Sequence, residues 1–326
     1  MEQPARPEVA ATRLPSAAFH CLLDDQPDHL LPRRYAAEVK APGMGLVLNP
    51  RCVFSANGEV PEGVDPGLVA NFALQGTVAW APDPAIGTWM PFWLGEQFSS
   101  LLCDLRGGDP EPETLPPHVR ATLAYAGILV MPDDVDRRQQ RWARMLERAK
   151  SLAAKGYAPV GKLIHPFHIA SLRRYYRYLV RTGQVRLGDD QSERRYVAHN
   201  ESVARFFHHQ LTGAVSDLVG EPVKPSYCYF SSYLGGAELE KHLDRPQCEF
   251  SLTLQLDYAP EPLNETPWPL CLETSEGTVT VYQGLGDALF YRGHQIPHYR
   301  FPLRQGHVSS HIFFHYVPEG FAGPLR

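Results

Sequence analysis

The triplet His242-Leu243-Asp244 is the most chemically pointed feature of the chain. On an extended segment, residues i and i+2 face the same way, so this imidazole and this carboxylate can share one ion. A third ligand from a distant strand would complete two histidines and one carboxylate on one face of an octahedral Fe(II), leaving three positions for substrate chemistry. His298 is taken as that ligand, and His294 is its rival. An HxD triplet alone arises by chance, so its surroundings must support it. Those surroundings are rich in imidazole: of the chain's 14 histidines, His242, His294, His298, His307, His311 and His315 fall in the closing stretch.

The elements that would carry these side chains read as strands. From Pro225 onward the runs SYCYFSSYL, CEFSLTLQLDY, TVTVYQ, DALFYRG and SSHIFFHYV are each bounded by Gly, Pro or polar turn residues. Short strands that follow a block of helices predict an α+β protein with an antiparallel sandwich or barrel buttressed by helices. A double-stranded β-helix, jelly-roll or cupin-like, is the candidate. The preceding helices are IASLRRYYRYLVRTG and ESVARFFHHQLTGAVSDLVG, the second with Asn200 available as its cap. His208 and His209 fall inside the latter as surface or packing residues, and His165 and His168 can share a face near the former. Upstream, Asp133 to Lys155 reads as a charged helix, acidic at its start and basic towards its end. The division expected is a flexible lead-in at 1–17, an α+β region at 18–156 with a possible role in substrate recognition, and a helix-buttressed barrel at 157–326.

Several ordered features around the triplet resemble the Fe(II)/2-oxoglutarate dioxygenases, in particular the prolyl-hydroxylase-like branch, over roughly residues 226–318. Tyr233-Leu234-Gly235-Gly236 puts a tyrosine nine positions before His242, at the family's spacing. Gly286-Asp287-Ala288-Leu289-Phe290-Tyr291 is similar to the family's Gly-Asp turn before an apolar strand. His298 is followed by Pro302, Leu303 and Gly306, as the family's distal histidine is followed by Pro, an aliphatic residue and Gly. Choosing His294 would align a basic residue, Arg304, with the family's anchor but lose those three matches. The sequence also departs from the pattern. A second family tyrosine is replaced by Leu239, and the usual basic anchor for the far carboxylate of 2-oxoglutarate is replaced by Val308. Arg300 and Tyr233 are the favoured substitutes, with His311, Ser309 and Ser310 as further candidates, because a charged acid cannot be buried unpaired.

The resemblance implies Fe(II) as metal, with 2-oxoglutarate and O2 as cosubstrates. It also implies oxidative decarboxylation to succinate and carbon dioxide, coupled to hydroxylation of an unactivated C–H bond. Related halogenases carry a small residue in place of the carboxylate, so Asp244 favours hydroxylation. The substrate would be an amino acid, a peptidyl or protein residue, or a small natural product. The helix ending LAYAGILV is similar to endings in winged-helix peptide-recognition modules, which would imply a peptidyl substrate. The opposing reading is a non-catalytic cupin-like metal-binding or sensor protein that has lost cosubstrate binding, as Val308 suggests.

Composition bounds these readings. With 326 residues, 44% hydrophobic and 21% charged, the chain should fold around a sizeable core. A net charge of -5 offers no general attraction to nucleic acid or anionic lipid. Arg173-Arg174-Tyr175-Tyr176 interleaves bases with aromatics, yet in an acidic chain it is read as a solvated helix face with snorkelling side chains. No nucleic-acid or membrane partner is expected. Six cysteines without a CxxC pair indicate reduced thiols, and no signal-peptide pattern opens the chain, so a cytoplasmic protein is expected.

Overall fold

A computed structural model describes residues 18–325 apart from 27–29, 37, 40–41, 57–58, 74, 103 and 132. The expected lead-in at 1–17 lies outside the described residues. The architecture is mixed α and β with large antiparallel sheets. Seven strands form the main sheet in the order Tyr157–Val160, Ala288–Tyr291, Phe250–Ala259, Val308–Pro318, Val223–Leu234, Arg195–His199 and Arg186–Leu187. Four more form a smaller sheet in the order Leu239–His242, His298–Arg300, Leu270–Thr274 and Gly277–Val281. Earlier in the chain, Val53–Ser55, Thr77–Pro82 and Trp89–Leu94 make a three-stranded sheet, and Val47–Leu48 pairs with Leu129–Val130.

The main sheet is buried on both faces, but period-2 alternation divides its chemistry. Phe250, Leu252, Leu254, Phe230, Ile312 and Phe314 join the principal apolar core. The alternate residues of the same strands, Ser251, Thr253, Gln255, Ser309, His311 and His315, are polar and equally buried. Helices Ser202–Gln210 and Thr212–Val219 pack on the long strand 223–234, and Pro166–Arg181 packs on strand 250–259. The polar row therefore belongs to the opposite face. The principal core runs without a break from Phe19, Trp80 and Phe92 in the upstream region to Phe206, Phe250 and Phe314.

Three local expectations need correction. The long run from Glu201 to Gly220 forms two helices that meet at Leu211, not one. Its cap is Glu201, whose carboxylate accepts from the Val203 and Ala204 amides. Asn200 instead adopts φ 47° and accepts the Cys228 amide through its side chain. Asn tolerates that left-handed conformation, which frees the next residue to cap. Arg173 and its neighbouring tyrosines do not form a solvated face. Arg173 is 1% exposed and donates to Asp257 at 2.9 Å and Glu261 at 2.8 Å. Tyr175 and Tyr176 donate to Glu201 at 2.8 and 2.7 Å. Asp257 lies where the register between strands 250–259 and 308–318 shifts, as at a β-bulge, a device that re-aims a side chain. The first helix also starts earlier than the run from Ile169, at Pro166, with His165 Nδ1 accepting the Phe167 amide as its cap.

Candidate metal centre

The register of the smaller sheet sets His242 directly opposite His298 on adjacent antiparallel strands. Their ring centroids are 4.4 Å apart. Asp244 follows in the turn after strand 239–242, with its amide donating to the Gly293 carbonyl at 2.9 Å. Its Oδ1 lies 3.6 Å from His242 Nε2 and 3.7 Å from His298 Nε2. One ligand atom from each of the three residues lies within 4.8 Å of the others.

Both rings are aimed by the backbone. His242 Nδ1 is 2.7 Å from the Glu240 carbonyl oxygen, and His298 Nδ1 is 2.9 Å from that of Ile296. A carbonyl can only accept, so each Nδ1 carries a proton and each ring presents Nε2 to Asp244. The second carboxylate oxygen is fixed too: Ser251 Oγ donates to Asp244 Oδ2 at 3.2 Å and lies 2.9 Å from His315 Nδ1. A Cβ on Gly293 would stand 2.2 Å from that same oxygen, so only glycine lets the turn approach the carboxylate. Burial acts to raise the Asp244 carboxyl. The His242 hydrogen bond and the charges of the neighbouring histidines outweigh it and hold the group at about 2. Burial lowers His298, with Asp244 opposing. An ionised carboxylate and two imidazole nitrogens converging on one point suit a divalent cation, which would displace the proton that His242 shares with Asp244.

His294, the rival distal ligand, is exposed and turned away; its Nδ1 lies 3.0 Å from the Asp244 backbone carbonyl. A second group, Asp244, Cys248 and His315, also converges. Burial pushes the Cys248 thiol up to about 12, however, and its sulfur lies 3.0 Å from the Tyr227 hydroxyl. Only the thiolate is a good metal ligand, so the first group has the better donor set.

The other predicted residues gather behind the metal site. Arg300, two residues past His298, is 3% exposed. Nη1 donates to the Trp268 carbonyl, and the guanidinium carbon sits 4.8 Å over the Trp268 ring. Nη2 has no partner among the described residues, and no carboxylate pairs with the group. Burial pulls it down to about 10, still cationic at neutral pH. Around it are Tyr233, whose ring is 5.0 Å from that of Trp268, and His311, whose Nδ1 is likewise unpartnered and whose Nε2 meets Ser309 Oγ at 2.9 Å. Ser310 turns instead to Ser232, donating at 2.8 Å. Val308, at the position of the absent anchor, begins the final strand.

A cleft of about 370 Å³ opens over the metal site, and its walls come from residues 186–315. Sequence reasoning missed several of its residues. Arg195 donates to the Tyr233 hydroxyl at 3.0 Å and forks onto Asp189, which also accepts from Tyr229. Tyr227, Tyr229, Phe313 and His315 line the cleft as well. The signal for Phe313 and His315 was present in SSHIFFHYV, because they continue the i+2 row of Ser309 and His311. Nothing local in RRYVAH marked Arg195. His165 and His168 face no common ion: Nε2 of each meets a backbone carbonyl, of Tyr125 and Pro91. His208 is buried, with Nε2 2.8 Å from the His315 carbonyl.

No family model matches the chain, and no curated protein matches it. Solved structures do. A Trichoplax adhaerens prolyl hydroxylase in complex with a hypoxia inducible factor peptide fragment is 12% identical, with a TM-score of 0.47 over 58% of this chain and 94% of that one. A Pseudomonas putida prolyl-4-hydroxylase is 17% identical, with a TM-score of 0.43 over 55% of this chain and all (100%) of that one. HygX from Streptomyces hygroscopicus, with nickel, 2-oxoglutarate and hygromycin B bound, is 13% identical, with a TM-score of 0.40 over 51% and 84%.

Proposed function

We propose that the protein is a non-haem Fe(II)- and 2-oxoglutarate-dependent oxygenase that hydroxylates an unactivated C–H bond. The observation that carries this reading is Arg300: a buried guanidinium without a carboxylate partner, two residues from a metal-ligating histidine, with a donor left open. The His242, Asp244 and His298 donor set alone would suit several divalent ions. A buried cation awaiting an acid beside that set singles out a dicarboxylate cosubstrate. Arg300 also removes the motive for a non-catalytic reading, since the basic group that Val308 lacks is supplied from strand 298–300 of the smaller sheet.

In this reading residues 157–326 form the catalytic part, and the two sheets facing across the cleft are the halves of a double-stranded β-helix. Residues 18–156 complete its core. His242 Nε2, Asp244 Oδ1 and His298 Nε2 would hold Fe(II) at the base of the cleft. The bound iron, with 2-oxoglutarate and O2, supplies the oxidising chemistry, releasing succinate and carbon dioxide. The chain's own residues bind and orient. Arg300 receives the far carboxylate of 2-oxoglutarate through Nη2. Because Arg195 donates to the Tyr233 oxygen, the Tyr233 proton is free to point to the same carboxylate. His311 and Ser309 complete the floor of that subsite. Ser251 keeps Asp244 from rotating, and Tyr291 packs against the His298 ring at 4.8 Å, limiting water at that side.

Anaerobic titration of the protein with Fe(II) and then 2-oxoglutarate tests this directly. A metal-to-ligand charge-transfer band that is lost in His242→Ala and weakened in Arg300→Gln is expected. Wild-type protein with no band would sink the assignment.

A further inference from the structure

Away from the metal ligands, the cleft is lined by Arg186, His199, Tyr227, Tyr229, Arg245 and Phe313. Three of them form a continuous aromatic wall, with His199 4.4 Å from Tyr229 and Tyr229 5.9 Å from Phe313. Of the cleft's carboxylates, Asp189 is spent on Arg195 and Tyr229, Asp244 belongs to the proposed metal centre, and Asp190 is exposed and makes no ion pair with Arg186 or Arg245. Arg186 and Arg245 have no carboxylate partner among the described residues. Both charges reach His199, where they add to the lowering that burial begins.

Arg245 is also held in place. Its Nη2 donates to the Tyr227 hydroxyl at 3.0 Å, and its guanidinium carbon sits 5.3 Å over the Tyr227 ring. Stacking and one hydrogen bond fix the plane of the group and leave its other edge free. A planar edge of two N–H donors matches a carboxylate. Its place in the chain, next to Asp244, keeps that edge close to the metal centre. A cleft of about 370 Å³, part of it reserved for 2-oxoglutarate, suits a small molecule.

We infer that the substrate is a small carboxylic acid with an aromatic or similarly flat apolar body, its carboxylate held by Arg245 and its body laid against Tyr229 and Phe313. The substrate class rests on the oxygenase reading for its chemistry, but the binding site does not depend on iron. Arg245 acts here as a specificity-determining residue, and Arg186 adds to the positive field at the mouth.

The test is calorimetric titration of phenylacetate and 3-phenylpropionate, each beside its amide, into the full chain loaded anaerobically with Fe(II) and 2-oxoglutarate, and into metal-free protein. At least one acid should bind about tenfold or more tightly than its amide, the scale of a charge-assisted hydrogen bond. Arg245→Gln should bring the acid down to the amide's level while leaving amide binding and the charge-transfer band unchanged. Tyr227→Phe, which unpins the guanidinium, should give a smaller loss in the same direction. Equal binding of acid and amide, no binding of any probe, or an Arg245→Gln loss shared by acid and amide would overturn the inference. Failure of the oxygenase reading would be separate: no charge-transfer band in wild-type protein, whatever the acids do.

Discussion

At the residue scale the site depends on which atom each side chain presents. Nδ1 of His242 and of His298 is spent on a backbone carbonyl, so both rings enter the centre by Nε2. His294 uses its Nδ1 on the carbonyl of Asp244 and stays outside. His298→Ala should therefore weaken Fe(II) binding by on the order of a hundredfold or more, whereas His294→Ala should leave it nearly unchanged. Anaerobic metal titration of the two variants checks this, and comparable losses in both would remove His298 from the ligand set. Arg300 makes a different kind of contribution. Arg300→Gln should raise the 2-oxoglutarate dissociation constant by roughly ten- to a hundredfold, with metal affinity retained. Titrating the charge-transfer band against 2-oxoglutarate separates the two effects, and an unchanged constant would place the anchor elsewhere.

At the element scale, the buried ion pairs of Arg173 tie helix 166–181 to the main sheet, and another pair closes the hairpin at that sheet's edge. Arg173 carries helix 166–181 onto Asp257 and Glu261 with its guanidinium almost fully buried. Removing it leaves Glu261 without a cation and Asp257 with Arg177 alone, so Arg173→Ala should cost about 3 kcal/mol. A urea midpoint that does not move would refute that assignment. In the hairpin formed by strands 186–187 and 195–199, burial acts to raise Asp189. The hydrogen bonds from Arg195 and Tyr229 outweigh it and hold the carboxyl at about 2. A depressed folded-state pKa means that its stabilisation is complete above an ordinary carboxylate pKa of about 4 and is lost as pH falls through about 2. Asp189→Asn should thus cost at most about 2 kcal/mol at neutral pH, less where solvent screens the rim. The gap from wild type should narrow below pH ~4, and a gap independent of pH would speak against the pair.

At the scale of the whole molecule, the upstream region and the strand block share one apolar core, while among the described residues the cleft walls come from residues 186–315. The upstream region supports the main sheet through helix 202–210, with Phe72 against Phe206 at 5.0 Å for example. Among the described residues, no helix is long and apolar enough to cross a membrane. Since the proposed ligand His298 lies far in sequence from the His242 and Asp244 pair, metal binding should stabilise the fold as a whole. Saturating Fe(II), at about a hundred times its dissociation constant, should add about 2.7 kcal/mol, seen as a rise in Tm under anaerobic conditions. His242→Ala should abolish that rise. If it persists in the variant, the stabilising ion sits elsewhere.

What the amino-acid order determined by itself is local. The i, i+2 spacing of His242 and Asp244 on an extended segment sets two donors on one side wherever the strand goes. Alternation in FSLTLQL and SSHIFFHYV divides each strand into an apolar and a polar row before any partner is known. The third donor, the orientation of both imidazoles and the charge state of Arg300's surroundings could not be read this way. They depend on sheet register, on which carbonyl lies behind each ring, and on the absence of a carboxylate from a space enclosed by segments from 233 to 311. Arg173 shows the same limit: its neighbours suggest a solvated face, and only the packing of its helix on strand 250–259 gives it Asp257. Tertiary structure decided these because burial and pairing are properties of residues brought together from a distance, and the chain's local pattern carries no record of the partner.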